Sequence, residues 1–72
     1  MPDWSKPVIS KSASEIAYRE EAQEMVVTWA RGSRRSVYWP VPEDVALQVA
    51  MALSVGSVLH TDIQPNYNHR YE

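Results

Sequence analysis

The chain has 72 residues, no cysteine, and a formal net charge of −2 from seven Lys and Arg against nine Asp and Glu. A chain this short is one domain that buries only about 60% of its unfolded surface, and neither disulfides nor thiolate-bound zinc can reinforce it. The acidic balance argues against strong non-specific phosphate binding unless the two signs are segregated. No apolar run has the length of a membrane span, and no stretch reads as a signal peptide, so a cytoplasmic location is expected.

Residues 1–7, MPDWSKP, carry two prolines and no periodicity and read as an extended arm, with Trp4 expected to fold back on the core. Ser12 to Arg19 shows period-2 alternation through Ser14, Ile16 and Tyr18, which predicts a strand. Glu24 to Ala30 is the clearest strand, with Met25, Val27 and Trp29 on one face and Val26, Thr28 and Ala30 on the other. Arg31 to Arg35 turns the chain, and Gly32 can supply the positive φ such a turn needs. Ser36 to Trp39 is a short third strand ended by Pro40 and Pro42.

Pro42-Glu43-Asp44 reads as a first helical turn, with carboxylates at the positive end of the helix dipole. The helix is expected to run to about Ser54, with Val45, Val49, Ala52 and Leu53 on one face and Gly56 stopping it. Its remaining circumference is also largely apolar, which points to burial or to self-association around Leu47 and Met51. Ser57 to Gln64 can form a second short helix with Val58, Leu59 and Ile63 inward, and residues 68–72 end the chain as a polar tail. Strands adjacent in sequence usually pair. The expected fold is therefore α+β: a three-stranded antiparallel meander packed against one main helix, with a short second helix, in β-β-β-α-α order.

This pattern resembles the KTSC domain, found at the C-terminus of some lysyl-tRNA synthetases and as a small stand-alone bacterial or phage protein. The resemblance spans residues 8–67. Val8, Ser10 and Ser12 precede Ile16-Ala17-Tyr18-Arg19, where the family has Ile-Gly-Tyr-Asp. Met25, Val27, Trp29 and Gly32 match its second strand and glycine turn, and Ser36-Val37-Tyr38 with Val41-Pro42 occupy its Tyr-x-Tyr and Val-Pro. Ala52, Ser54, Gly56, Ser57, Leu59, Ile63 and Tyr67 follow its small-residue segment without a gap. The chain departs from the pattern at Ala17, Arg19 and Ser36, at a hairpin one residue longer around Ser33–Arg35, and at His60 and Gln64. The resemblance implies a domain without an established activity, for which RNA binding has been suggested; the missing tyrosine at Ser36 and missing cation at Gln64 count against that role.

Reactive chemistry finds little support. Ser57, His60 and Asp62 are close in sequence, but their spacing on one short helix does not converge as a nucleophile, base and acid must. His60 and His69 lack a metal-ligand spacing, and Gly32 and Gly56, the only two glycines, cannot make a phosphate-cradling loop. The expectation is a non-enzymatic domain without cofactor or metal. The apolar helix is too short and too poor in cations to lie on a membrane.

The stretch WARGSRRSVYW puts three arginines within five residues, between aromatics. In a meander, the 31–35 turn lies at one end of the sheet with Lys6 and Lys11, and Glu20, Glu21, Glu24, Glu43 and Asp44 gather at the other. Half the weight falls on a plain solvated turn. The rest divides between two binding roles. In the first, RNA or single-stranded DNA is held by Lys11, Arg31, Arg34 and Arg35 on phosphate, with Tyr38 or Trp39 stacking on bases. In the second, the same surface belongs to a protein-interaction factor, such as one encoded by a phage, that binds and modulates a host protein or nucleoprotein complex.

Overall fold

The structure, a computed structural model, describes residues 2–72. The strands are β1 (Trp4–Pro7), β2 (Ala13–Arg19), β3 (Glu24–Trp29) and β4 (Arg35–Trp39), followed by α1 (Glu43–Ala50) and α2 (Val55–Val58). α2 continues into a π-helical segment, Leu59–Ile63, and the chain ends in β5 (Asn68–Tyr71). The sheet has five strands in the order β1-β2-β3-β4-β5, with every neighbouring pair antiparallel.

The three-stranded expectation is thus wrong at both edges. The arm supplies β1, in register Trp4 to Tyr18 and Lys6 to Ile16. The polar tail supplies β5, which returns after the helices to pair Ser36 with Tyr71 and Trp39 with Asn68. Edge strands are wetted on one side and carry few aliphatic residues, so they leave little hydrophobic alternation to read. All four β5 residues are exposed, as are three of the four in β1.

The helices cover one face of the sheet. There Ile16, Tyr18, Met25, Val27 and Tyr38 meet Val41, Ala46, Val49, Val55, Leu59 and Ile63 in the main core. The Tyr18 hydroxyl donates to the Val41 carbonyl at 2.6 Å, fixing the chain where it leaves the sheet. Trp4 stacks on Tyr18 with ring centroids 5.7 Å apart, and its indole donates to Glu43, so the N-terminal segment does fold back. The opposite face carries no helix. Its apolar strip of Ala17, Val26 and Val37 is buried nonetheless, beside half-buried Trp39. Arginine side chains cover apolar surface with their stems while the charged head stays wet. Arg19 borders Ala17 and Val26, the Arg70 guanidinium lies over the Trp39 ring, and both arginines meet Glu24, at 3.2 and 2.7 Å.

The main helix is shorter than its sequence pattern implies. It ends at Ala50, and Leu53, expected on the inward face, is fully exposed. Gly56 does not stop α1; it lies within α2. A Cβ there would stand 2.8 Å from Ser12 Oγ, so the glycine lets α2 approach the segment before β2. Of the residues named for self-association, Leu47 is half-buried and Met51, beyond the helix end, is 76% exposed.

Candidate functional site

The β3–β4 turn is closed by the Trp29 amide donating to the Arg34 carbonyl at 2.8 Å, with Gly32 at φ +78° and Ser33 at φ 53°. Both residues need the left-handed region, which glycine enters freely and serine at a cost. This geometry splays Arg31, Arg34 and Arg35 into solvent. Exposed Lys11 joins them, because the neighbouring Ser12 carbonyl accepts the Ala30 amide at 2.9 Å. Among the described residues Lys11, Arg31 and Arg34 make no ion pair, and Arg35 makes one loose contact with Glu72 at 3.9 Å.

Glu20, Glu21, Glu24, Glu43 and Asp44 sit at the far end of the sheet, whereas Glu15, paired with Thr28, and Glu72, beside Arg35, lie at the basic end. The β2–β3 and β3–β4 ladders run from Arg19–Glu24 at one end to Thr28–Arg35 at the other, a separation of roughly 13 Å at strand rise. The Tyr18 hydroxyl reports the field at the acidic end: burial first, then Glu43, Glu20, Asp44 and Asp3, push it above the usual tyrosine range. The charge polarity read from the sequence therefore holds for those five carboxylates and for the arginine turn, but not for every charge. Lys6 lies part-way along β1, opposite Ile16, and not at the basic end.

The expected stacking residues require correction. Tyr38 is 2% exposed and belongs to the main core, and burial raises its hydroxyl pKa. Trp39 stands on the other face, at the end of β4 remote from the turn, and Arg70 already covers its ring at 4.9 Å. Four residues of strand, about 13 Å, separate Trp39 from Arg35. Neither ring is offered to a partner beside the arginines.

β5 supplies the aromatic that sequence reasoning missed. Tyr71, opposite Ser36 near the turn, is 61% exposed, and the Arg34 guanidinium lies 4.9 Å from its ring centroid. His69 packs edge-on against Tyr71 at 4.8 Å and against Tyr38 at 4.9 Å, so an aromatic row leads from the core to the exposed ring. The signal was present in the sequence: Tyr67, His69 and Tyr71 alternate with Asn68 and Arg70 at period 2.

Elsewhere, Ser57 Oγ accepts a hydrogen bond from Ser54 Oγ at 2.9 Å, and no hydrogen bond links Ser57, His60 and Asp62 among the described residues. No group of three or more His, Asp or Glu able to hold a metal occurs among them, and no helix is long and apolar enough to cross a membrane.

These features define a class: a small α+β domain whose five-stranded antiparallel sheet is backed by helices on one face and carries a basic, aromatic-edged end. Among solved structures, the chain is similar to a KTSC domain protein from Yersinia pestis, with a TM-score of 0.85 at 20% identity over 96% of each chain. The chain has the KTSC-domain fold, in agreement with the serine, glycine and Val-Pro spacings. No family model matches the sequence, and no curated protein does.

Proposed function

We propose that this chain is a non-enzymatic binding domain that takes RNA or single-stranded DNA across the basic end of its sheet. The observation that carries the reading is the exposed Tyr71 ring held under the Arg34 guanidinium, at the same end of the sheet as Arg31 and Lys11, which make no ion pair among the described residues. Single strands are bound by cations that track the phosphates and by aromatic faces on which bases stack. Here Lys11, Arg31 and Arg34 take the phosphates, and Tyr71, in place of Tyr38 or Trp39, takes a base. Arg35 contributes less, because Glu72 shares its charge. The net charge of −2 opposes this only in part, since Asp3, Glu20, Glu43 and Asp44 gather at the other end, while Glu15 and Glu72 remain near Arg35.

The test compares two single variants in binding to a labelled single-stranded oligonucleotide. Tyr71→Ala should weaken binding by about 1–3 kcal/mol, the usual worth of one stacked base. Trp39→Ala, in a variant confirmed to be folded, should leave affinity unchanged. The reverse order of effects would defeat the assignment.

A second reading is favoured by a separate observation. Ile9, Met51 and Leu53 are large, apolar and almost wholly exposed, as suits a surface meeting a protein. In that reading the same end of the molecule engages a host protein or nucleoprotein complex. Capture from lysate that survives nuclease treatment and is lost in Arg34→Ala would favour it over the strand-binding reading.

A further inference from the structure

An open cleft of about 470 Å³ lies between the segment before β2 and the start of α2. Small-molecule sites commonly measure about 300–1,000 Å³. Two stretches far apart in sequence build it, residues 9–12 and 53–61, and their close approach depends on Gly56 having no side chain to meet Ser12. Its polar lining is selective. Five hydroxyl residues line it together with Lys11 and His60; Ser54 Oγ donates to Ser57 Oγ at 2.9 Å and Thr61 Oγ1 to the Ser57 carbonyl at 2.8 Å, so the hydroxyl protons left for a ligand are those of Ser10, Ser12 and Ser57. No Asp or Glu lines it, although the chain has nine. Hydroxyl, ammonium and imidazole N–H donors without a carboxylate suit an oxyanion and reject a metal cation. Its apolar contribution comes chiefly from Ile9 and Leu53, both fully exposed, which offer aliphatic surface to a flat ring at the rim.

We infer that this cleft binds a phosphomonoester of mononucleotide size, with the phosphate on Lys11 and the serine hydroxyls and the base against Ile9 and Leu53. Two sources share that chemistry: a free nucleoside monophosphate, and the phosphorylated end of a nucleic-acid strand. The second source continues the proposed strand path, because Lys11 borders both the cleft and the arginine turn. The first stands independently of it.

The experiment is an amide NMR titration of the full chain with uridine monophosphate and with uridine. The monophosphate should shift amides of residues 9–12 and 53–61, and uridine should bind about tenfold more weakly or not at all, the scale of one charge-assisted contact. Lys11→Ala should weaken the monophosphate about tenfold, and Lys6→Ala, on β1 away from the cleft, should leave it unchanged. Absence of shifts in those two segments, or equal binding of uridine, overturns the inference. Oligonucleotides with a 5′-phosphate and a 5′-hydroxyl then separate the sources. Preference for the phosphorylated strand assigns the strand end; equal affinity, with monophosphate still bound, assigns the free nucleotide. If monophosphate binds and no oligonucleotide does, the cleft stands and the strand-binding reading falls. If oligonucleotides bind through Arg34 and monophosphate leaves the cleft unshifted, the reverse holds.

Discussion

Replacing Glu24 by glutamine should loosen β5 from the sheet and remove part of the acid sensitivity of the fold. Glu24 lies in β3 and receives hydrogen bonds from Arg19 in β2 at 3.2 Å and from Arg70 in β5 at 2.7 Å. It therefore ties β5 to β3 across the intervening β4. The Glu24 side chain is only 15% exposed, which strengthens both contacts, whereas Arg19 at 31% and Arg70 at 47% are screened by water. Discounting for that screening leaves about 1–2 kcal/mol for the two contacts together. In a domain of this size, that lowers the melting temperature by roughly 5–15 °C. The Arg70 contact, opposed by burial and aided by Arg19, holds the Glu24 carboxyl below its usual range. A carboxyl whose pKa is depressed on folding adds stability that is complete above its unfolded pKa and is lost as pH falls through its folded pKa. The expected result, from thermal melts across a pH series, is a gap between parent and Glu24→Gln that is full at neutral pH. It should close in acid below the ordinary glutamate range. A constant gap at every pH, or no gap at pH 7, would refute the role given to this carboxylate. Because β5 carries Tyr71, oligonucleotide affinity should fall in the same variant.

Tyr18→Phe leaves the buried Val41 carbonyl without its 2.6 Å donor and should cost about 1–3 kcal/mol in denaturant unfolding. The raised pKa of Tyr18 keeps its proton bound in the folded state, so its contribution is intact below the ordinary tyrosine range and is lost as pH rises through the folded value. The alkaline limb of the parent's stability should flatten in Tyr18→Phe. Gly32→Ala should destabilise by about 1 kcal/mol through the backbone alone, because a Cβ at φ +78° meets nothing within 4 Å. Gly56→Ala should be tolerated better in a Ser12→Ala background than beside the native Ser12, whose Oγ stands 2.8 Å from the new Cβ.

The central three strands were legible because each buries a residue set that repeats at period 2. Met25 and Val27 face the helices, while Val26 meets Ala17 and Val37 on the other side. Residues 4–7 and 68–71 were read as arm and tail because their pairing rests on backbone hydrogen bonds and polar or aromatic side chains, with no aliphatic pattern to reveal it. That omission displaced the site. Without β5, Tyr38 and Trp39 were the aromatics left beside the arginines once Trp29 shared the face of Met25 and Val27. In the sheet one is core and the other stands at the wrong end. The arginine turn and Lys11 were placed correctly because strand direction alone fixes which loops share an end. The length of α1 was overread because Ala52 and Leu53 continue its apolar spacing, although nothing in the fold covers Leu53.

The most direct test of strand binding is the salt dependence of affinity for a labelled single-stranded oligonucleotide, measured for the parent and for Arg34→Ala. Three free cations, Lys11, Arg31 and Arg34, should give a log–log slope of about −2, and removing Arg34 should make it shallower by about 0.7 while weakening binding. No binding at low salt, or an Arg34→Ala protein with unchanged affinity and slope, would contradict the account.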